Sequence, residues 1–308
     1  MRKSLLSAVA AASLLMVASP TLAKGTWVAA NPISGSTSFS VFGYNNKNIV
    51  TGDYVDASGN THGFIGPFDG SKYTSFDDPD GATQPRGLND GNITTGFDTG
   101  TLVPWERTAK GTLTDVTKKN TNLNQLAQGI NKAGAFAGNS EDVSGASFGY
   151  LGKKSKYVKT IKLSISNTGY AGRAIDTAGD LGGWYYDSSS VQHGFVIVGK
   201  KASSVDYPNA AYTVVEGMND NGLVSGQWED ASGVIHGFIY TIKTGKFQSL
   251  DAPGASETQA WGINNSNVVA VSTTTVGSFV YCMTKTGCPK SGAGVSNMQH
   301  GKLAPAAP

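Results

Sequence analysis

Charge, cysteine and long apolar runs are all scarce in this 308-residue chain, and each scarcity excludes a class of protein. Charged residues make up 15%, with 24 basic against 22 acidic side chains. Setting aside Arg2 and Lys3 leaves 22 of each sign, so no basic footprint for nucleic acid is expected. The one basic stretch, Lys153 to Lys162, alternates as a solvated outer strand does. The only sustained apolar run, Leu5 to Val17, falls short of the ~20 residues that cross a bilayer, so no membrane span is expected. Arg2 and Lys3 precede that run and Thr21-Leu22-Ala23 follows it. This is the layout of a secretory signal peptide (1–23) cut near Ala23, and it implies a secreted or periplasmic protein. Only two cysteines occur, Cys282 and Cys288; in an exported protein they are a possible disulfide, which spacing alone does not establish. No HExxH, paired CxxC, GxSxG or glycine-rich phosphate loop stands in a context that would make it a site.

Glycine and turn formers are abundant instead: forty glycines with many Thr, Ser and Asn read as all-β with frequent turns. The tripeptide Gly262-Ile263-Asn264 recurs at Gly43, Gly87, Gly129, Ala174 and Gly217, with separations of 44, 42, 45, 43 and 45 residues. Nine positions after each anchor comes Gly52, Gly96, Gly138, Gly183 or Gly226, with Val271 as the exception. Within the fifth unit, turn residues at Asn219–Gly222, Glu229–Gly233 and Thr244–Lys246 cut four short strands, and Pro253-Gly254 ends the last. Four-stranded units of this length are propeller blades. The sixth unit lacks a fourth strand, and Thr26 to Gly35 reads as that strand. A six-bladed β-propeller follows, a single domain over 24–283, closed by the N-terminal strand completing the last blade and leaving no open sheet edge at the seam. Residues 284–308 have little apolar content and read as a flexible tail.

The elements G-[IM]-N-[DN]-N, D-A-S-G-x-x-H-G-F and L-D-A-P-G-A resemble the extracellular HAF-repeat family, named for a His-Ala-Phe-like element. Here that element is His62-Gly63-Phe64, His193-Gly194-Phe195 and His236-Gly237-Phe238, and Val103-Pro104-Trp105 departs from it. The strand order is similar to that of kelch propellers. The resemblance implies a propeller fold and an exported location, and no single activity.

Two positions after the histidine every unit carries an aromatic: Phe64, Trp105, Tyr150, Phe195, Phe238 and Phe279. Residues i and i+2 of a strand share a face, so His62, His193 and His236 are expected to be structural, packed in the inter-blade layer and tied to a backbone group. Asp56, Asp142, Asp187 and Asp230 begin D-x-S-[GS] loops, where an Asx side chain can cap the bend. Calcium at oxygen-rich loops such as Asp77, Asp78 and Asp80 is the sharper alternative, although the EF-hand spacing is absent; otherwise no cofactor is expected.

Where repeats disagree, function is sought. The residue before each anchor is Phe42, Arg86, Gln128, Arg173, Glu216 or Trp261. With the anchor strand innermost, these six ring the axial mouth, suited to a polar organic ligand such as a sugar or an anion; the equal alternative is that they face alternate blades and form structural ion pairs. Tyr54, Trp184, Tyr185 and Trp228 form a second candidate set, rim aromatics for carbohydrate or protein contact, with cover for the blade ends as the equal alternative. The expected protein is a monomeric, non-enzymatic binding module for a glycan, small polar ligand or envelope protein. The alternative is a polysaccharide hydrolase or lyase using Glu216 and Asp53, for which two converging carboxylates are required.

Overall fold

The computed structural model describes residues 25–79, 81–116, 124–142 and 144–289, with the backbone of Asn297–Met298. The expected leader at 1–23, Asp80 and most of the expected tail lie outside the described residues. Six antiparallel sheets form the six blades of a β-propeller. In blade five the strands Tyr212–Met218, Leu223–Glu229, Ile235–Thr241 and Lys246–Leu250 lie side by side in sequence order. The turn after the innermost strand places Gly222 at φ +72°, a conformation that costs glycine nothing. Blades one to four have the same order, and the basic stretch contributes Lys156–Thr160, the outermost strand of blade three.

Ring closure is as expected. Thr26–Ala29 pairs antiparallel with Ser278–Cys282, placing Trp27 opposite Tyr281. Cys282 and Cys288 form a disulfide, so the start of the segment read as tail is a tied loop. Asn297–Met298 pairs with Trp27 and Val28 on the outside of this sheet, giving it a fifth strand. Strand addition of this kind uses main-chain hydrogen bonds, which apolar content does not report.

The repeated aromatics are the core between neighbouring blades. Phe64, Trp105, Tyr150, Phe195, Phe238 and Phe279 are each no more than 2% exposed. Burying one such ring is worth roughly 1.5–3 kcal/mol. The glycine nine residues after the anchor lies against this ring: a Cβ on Gly226 would collide with the Val214 carbonyl and the Phe238 ring. That close approach accounts for the repeated glycine.

A belt of asparagine side chains joins the innermost turns. Each anchor asparagine accepts two backbone N–H groups of its own turn on Oδ1, as Asn219 does from Asn221 and Leu223 at 3.0 Å each. Its Nδ2 then donates to the carbonyl of the matching residue in the next blade. Asn45 reaches Asn89, Asn89 reaches Asn131, Asn131 reaches Asp176, Asn219 reaches Asn264, and Asn264 returns to Asn45, all at 2.8–3.2 Å. Asp176 breaks the circuit because a carboxylate has no proton to donate to blade five. Burial, with the charges of Asp180 and Asp220, raises the Asp176 pKa above the ordinary aspartate value.

A raised folded pKa means that stability present below the unfolded value, ~3.9, is lost as pH rises through the folded value. Asp176→Asn is therefore expected to complete the belt and add about 0.5–1.5 kcal/mol at pH 7, the usual net worth of one hydrogen bond, with a smaller gain below pH 4. Urea denaturation at the two pH values checks this; an equal or lower midpoint for the variant at pH 7 would refute it.

Candidate functional site

The six residues before the anchors converge on one cavity around the axis, as the repeat alignment predicts. A β-bulge directs them there. In every innermost strand the ladder slips at this point, between Val41 and Gly43 in blade one and between Val215 and Gly217 in blade five. The same slip occurs at Pro85/Gly87, Ala127/Ile130, Gly172/Ala174 and Ala260/Ile263. The extra residue has no partner across the ladder, and a bulge re-aims such a side chain.

Arg86 dominates the cavity. Its guanidinium carbon lies 4.5 Å from the centres of both the Phe42 and Trp261 rings, and those two rings meet edge to face. Its Nη2 donates to Gln84 Oε1 at 2.9 Å, and Gln84 Nε2 donates to Asp53 Oδ2 at 3.0 Å. Arg86 Nε and Nη1 are buried and have no hydrogen-bond partner among the described residues; Arg173 Nε and Gln128 Nε2 are in the same condition. Burial pushes the Arg86 pKa down to about 10, with the Arg173 charge acting the same way, so the group remains a cation at neutral pH. Arg173 Nη1 stands 3.5 Å from Glu216 Oε2. Two guanidiniums and one carboxylate therefore line the mouth. Asp53 does not line it and lies behind Gln84; burial raises its pKa. The enclosed space is about 70 Å3. That is well below the ~300–1,000 Å3 of pockets that swallow a drug-sized ligand, and it suits a carboxylate-sized group.

The opposite axial mouth has the same volume and a different character. Its polar groups satisfy one another: Asn46 donates to Asp90, Thr177 to Asp220, and Asn265 to Asp220. Of the two mouths, the arginine one holds the buried donors without partners among the described residues.

The histidines differ from expectation in their partners. His62 Nδ1 is 2.8 Å from Asp77 and Nε2 is 3.3 Å from Asp56, with its ring stacked on Tyr54. His193 stands between Asp206 and Asp187 against Tyr185, and His236 between Asp251 and Asp230 against Trp228. Each side chain is 22–24% exposed, and all three imidazoles are held by carboxylates where a backbone partner was expected. Each imidazole instead pins the D-x-S-[GS] loop to the aspartate ending its blade. That aspartate was missed as a partner, although the spacing D-x-P after it (Asp77, Asp206, Asp251) repeats with the histidines. The loop aspartates do cap their bends: Asp230 Oδ1 accepts from Ser232 at 2.8 Å and Val234 at 3.0 Å.

The rim aromatics are consequently not free contact surfaces. Trp184 and Tyr185 are buried, and Tyr54 and Trp228 are partly covered. Trp228 lies between His236 and the Tyr207 ring, 3.9 Å away and nearly parallel. Strand alternation showed that these side chains reach the rim and could not show what covers them there. Of the suggested calcium ligands, Asp77 is engaged by His62, and no group of three or more His, Cys, Asp or Glu that could hold a metal occurs among the described residues.

No family model matches the chain, and no curated protein matches it. Solved structures do. TolB of Acinetobacter baumannii superposes with a TM-score of 0.52 at 10% identity, over 83% of this chain and 62% of that one. A Xanthomonas campestris gluconolactonase gives 0.51 at 10% identity, over 86% and 99%. A chain of a nidogen–laminin complex gives 0.50 at 9% identity, over 78% and 97%. At such identities the likeness shows the fold alone, one that carries both binding proteins and enzymes.

The two carboxylates at His62 raise its pKa, Asp77 most strongly. The stability this supplies is complete below the unfolded value of ~6.5 and is lost as pH rises through the folded value. An NMR titration of His62 is expected to show a midpoint above 6.5 that falls in Asp77→Asn; a midpoint unmoved by that substitution would show that the pair does not form in solution.

Proposed function

We propose that this chain is an exported, non-enzymatic binding propeller whose axial mouth holds the carboxylate of a polar ligand. One observation carries the reading: a buried guanidinium clamped between two aromatic rings with two hydrogen-bond donors unused. Leaving such donors unpaired costs about 1–3 kcal/mol each, and a carboxylate oxygen that accepts a charge-assisted hydrogen bond from one of them removes that donor's share. Arg173 Nε and Gln128 Nε2 supply further donors from the same ring. The small enclosed volume means that only the acidic group enters, with the rest of the ligand outside the mouth. A glycan bearing acidic sugars and an acidic segment of an envelope protein are both carriers of such a group. The export reading comes from the leader-like start, and the HAF-type motifs agree with it.

A polysaccharide hydrolase or lyase would use two converging carboxyl groups roughly 5–10 Å apart. Glu216 is the one carboxylate lining the mouth, and Arg173 engages it. Asp53 is held by Gln84 outside the lining. This arrangement favours binding.

Calorimetry of the purified protein with glucuronate, galacturonate and lactate, against the matching amides, tests the proposal. Acids are expected to bind at least tenfold tighter than amides. Arg86→Met is expected to abolish binding while leaving Tm unchanged or higher, because it removes a desolvated cation with unmade hydrogen bonds. Equal affinity for acid and amide would sink the proposal. So would a large fall in Tm for Arg86→Met with no acid bound by the wild type, since Arg86 would then be structural.

A further inference from the structure

The seam between the last and first blades departs from the repeat at every position of the histidine cluster. In blade five Trp228 stands opposite His236, with Asp230 and Asp251 as the flanking carboxylates. In blade six the ladder ends with Ser272 opposite Ser278, so Thr273 and Gly277 take the places of the aromatic and the imidazole. Thr275 stands where the loop aspartate would be. Asn31 replaces the terminal aspartate and donates to the Asp69 carbonyl instead. A fifth change accompanies these. At three other junctions a threonine hydroxyl accepts the N–H at this place, Thr83 from Asp78, Thr213 from Tyr207 and Thr258 from Ala252, while Gln125 and Tyr170 hold the position at the remaining two. At the seam Phe39 stands in the threonine's place, and the residue it would serve is Pro32, which has no N–H to satisfy.

Losing an imidazole and an aromatic ring leaves a space. A cleft of about 340 Å3 opens there, lined by Thr273, Thr275 and Gly277 on one side and by Ser38, Phe39 and Ala30 on the other. It is several times larger than either axial mouth and falls within the ~300–1,000 Å3 range of ligand pockets. None of the lining side chains among the described residues is charged. Its hydroxyls have largely spent their protons on the protein: Thr273 donates to Gly277, Ser278 to Phe39 and Ser36 to Ile33. Thr273 and Thr275 each also accept one backbone N–H, from Val276 and Ser256, so a second lone pair on each is left for the cleft, while Ser278, which accepts from Val41, is buried. An uncharged wall rich in acceptors, with apolar Ala29, Ala30 and Pro32 beside it, selects a neutral ligand that donates many hydrogen bonds and has an apolar face.

We infer that the seam cleft is a second binding site, for an uncharged hexose unit of a glycan. The sugar occupies the space that the imidazole and aromatic ring fill in blades one, four and five, its hydroxyls donating to the Thr and Ser wall. This inference is independent of the carboxylate reading of the axial mouth.

Ser38 is an exposed lining residue at the start of its strand, so Ser38→Trp fills the cleft without disturbing the blade. Thr273→Tyr fills it from the other side with the residue type used in blade one. The purified protein is screened on an array of neutral and acidic glycans, and the strongest neutral glycan is then titrated into wild type, Ser38→Trp, Thr273→Tyr and Arg86→Met, with Tm recorded for each. Binding of a hexose-containing neutral glycan is expected, at least tenfold weaker in whichever filled variant keeps the wild-type Tm and unchanged in Arg86→Met. No neutral glycan bound, or full affinity in a folded filled variant, would overturn the inference. Loss confined to Arg86→Met would also overturn it and would move the sugar to the axial mouth.

Discussion

The molecule depends on side-chain amides that each serve two blades. An asparagine Oδ1 ties the turn after its own innermost strand, and its Nδ2 ties that turn to the next. Blade rotation, turn geometry and the diameter of the central channel are thereby coupled through one residue type. The aromatic layer supplies most of the burial energy, but an apolar layer is non-directional and does not by itself set how many blades close a ring. The amides impose the direction. Asp176 is the one place where the carboxylate, with no N–H to give, leaves the next blade's carbonyl with only its own turn's donor, Gly222.

On this scaffold the chain divides its positions between holding and binding. Residues that repeat, namely the anchor asparagine, the close-packed glycine, the buried aromatic and the Asp–His–Asp clamp, are occupied with neighbouring blades or with their own blade's loops. Residues that vary collect in two places. One is the bulge of each innermost strand, which turns a side chain out of the ladder and toward the axis. The other is the seam, where Thr273, Gly277 and Asn31 stand in place of the clamp, as Val103 and Phe148 replace its histidine in blades two and three. Both places have polar capacity left over: unmade donors at the first and spare lone pairs at the second.

Much of this was legible in the residues. Spacing of the anchors, the missing fourth strand after Ser278 and the strand-like Thr26 segment are enough for six blades and a closed ring. The mouth residues were legible too, because the position before the anchor is variable where its neighbours are not. The histidines were misread in detail. Alternation along the strand placed each imidazole beside the aromatic two residues on, but its real partners come from a loop six residues before it and a strand end thirteen to fifteen residues after. Of the two readings open for the rim aromatics, contact surface or cover for the blade ends, the packing of Trp228 between His236 and Tyr207 fits the second.

What the sequence determined alone is therefore everything set by period: strand length, turn chemistry, blade number and the residue types that must recur in a close-packed layer. What only the tertiary structure decided is which polar groups found partners. Hydrogen bonding is directional and short-ranged, so whether Arg86 is satisfied depends on where Gln84, Phe42 and Trp261 come to rest across three blades. A repeat pattern brings such residues to one place. It does not say which of their donors will still be free once they arrive.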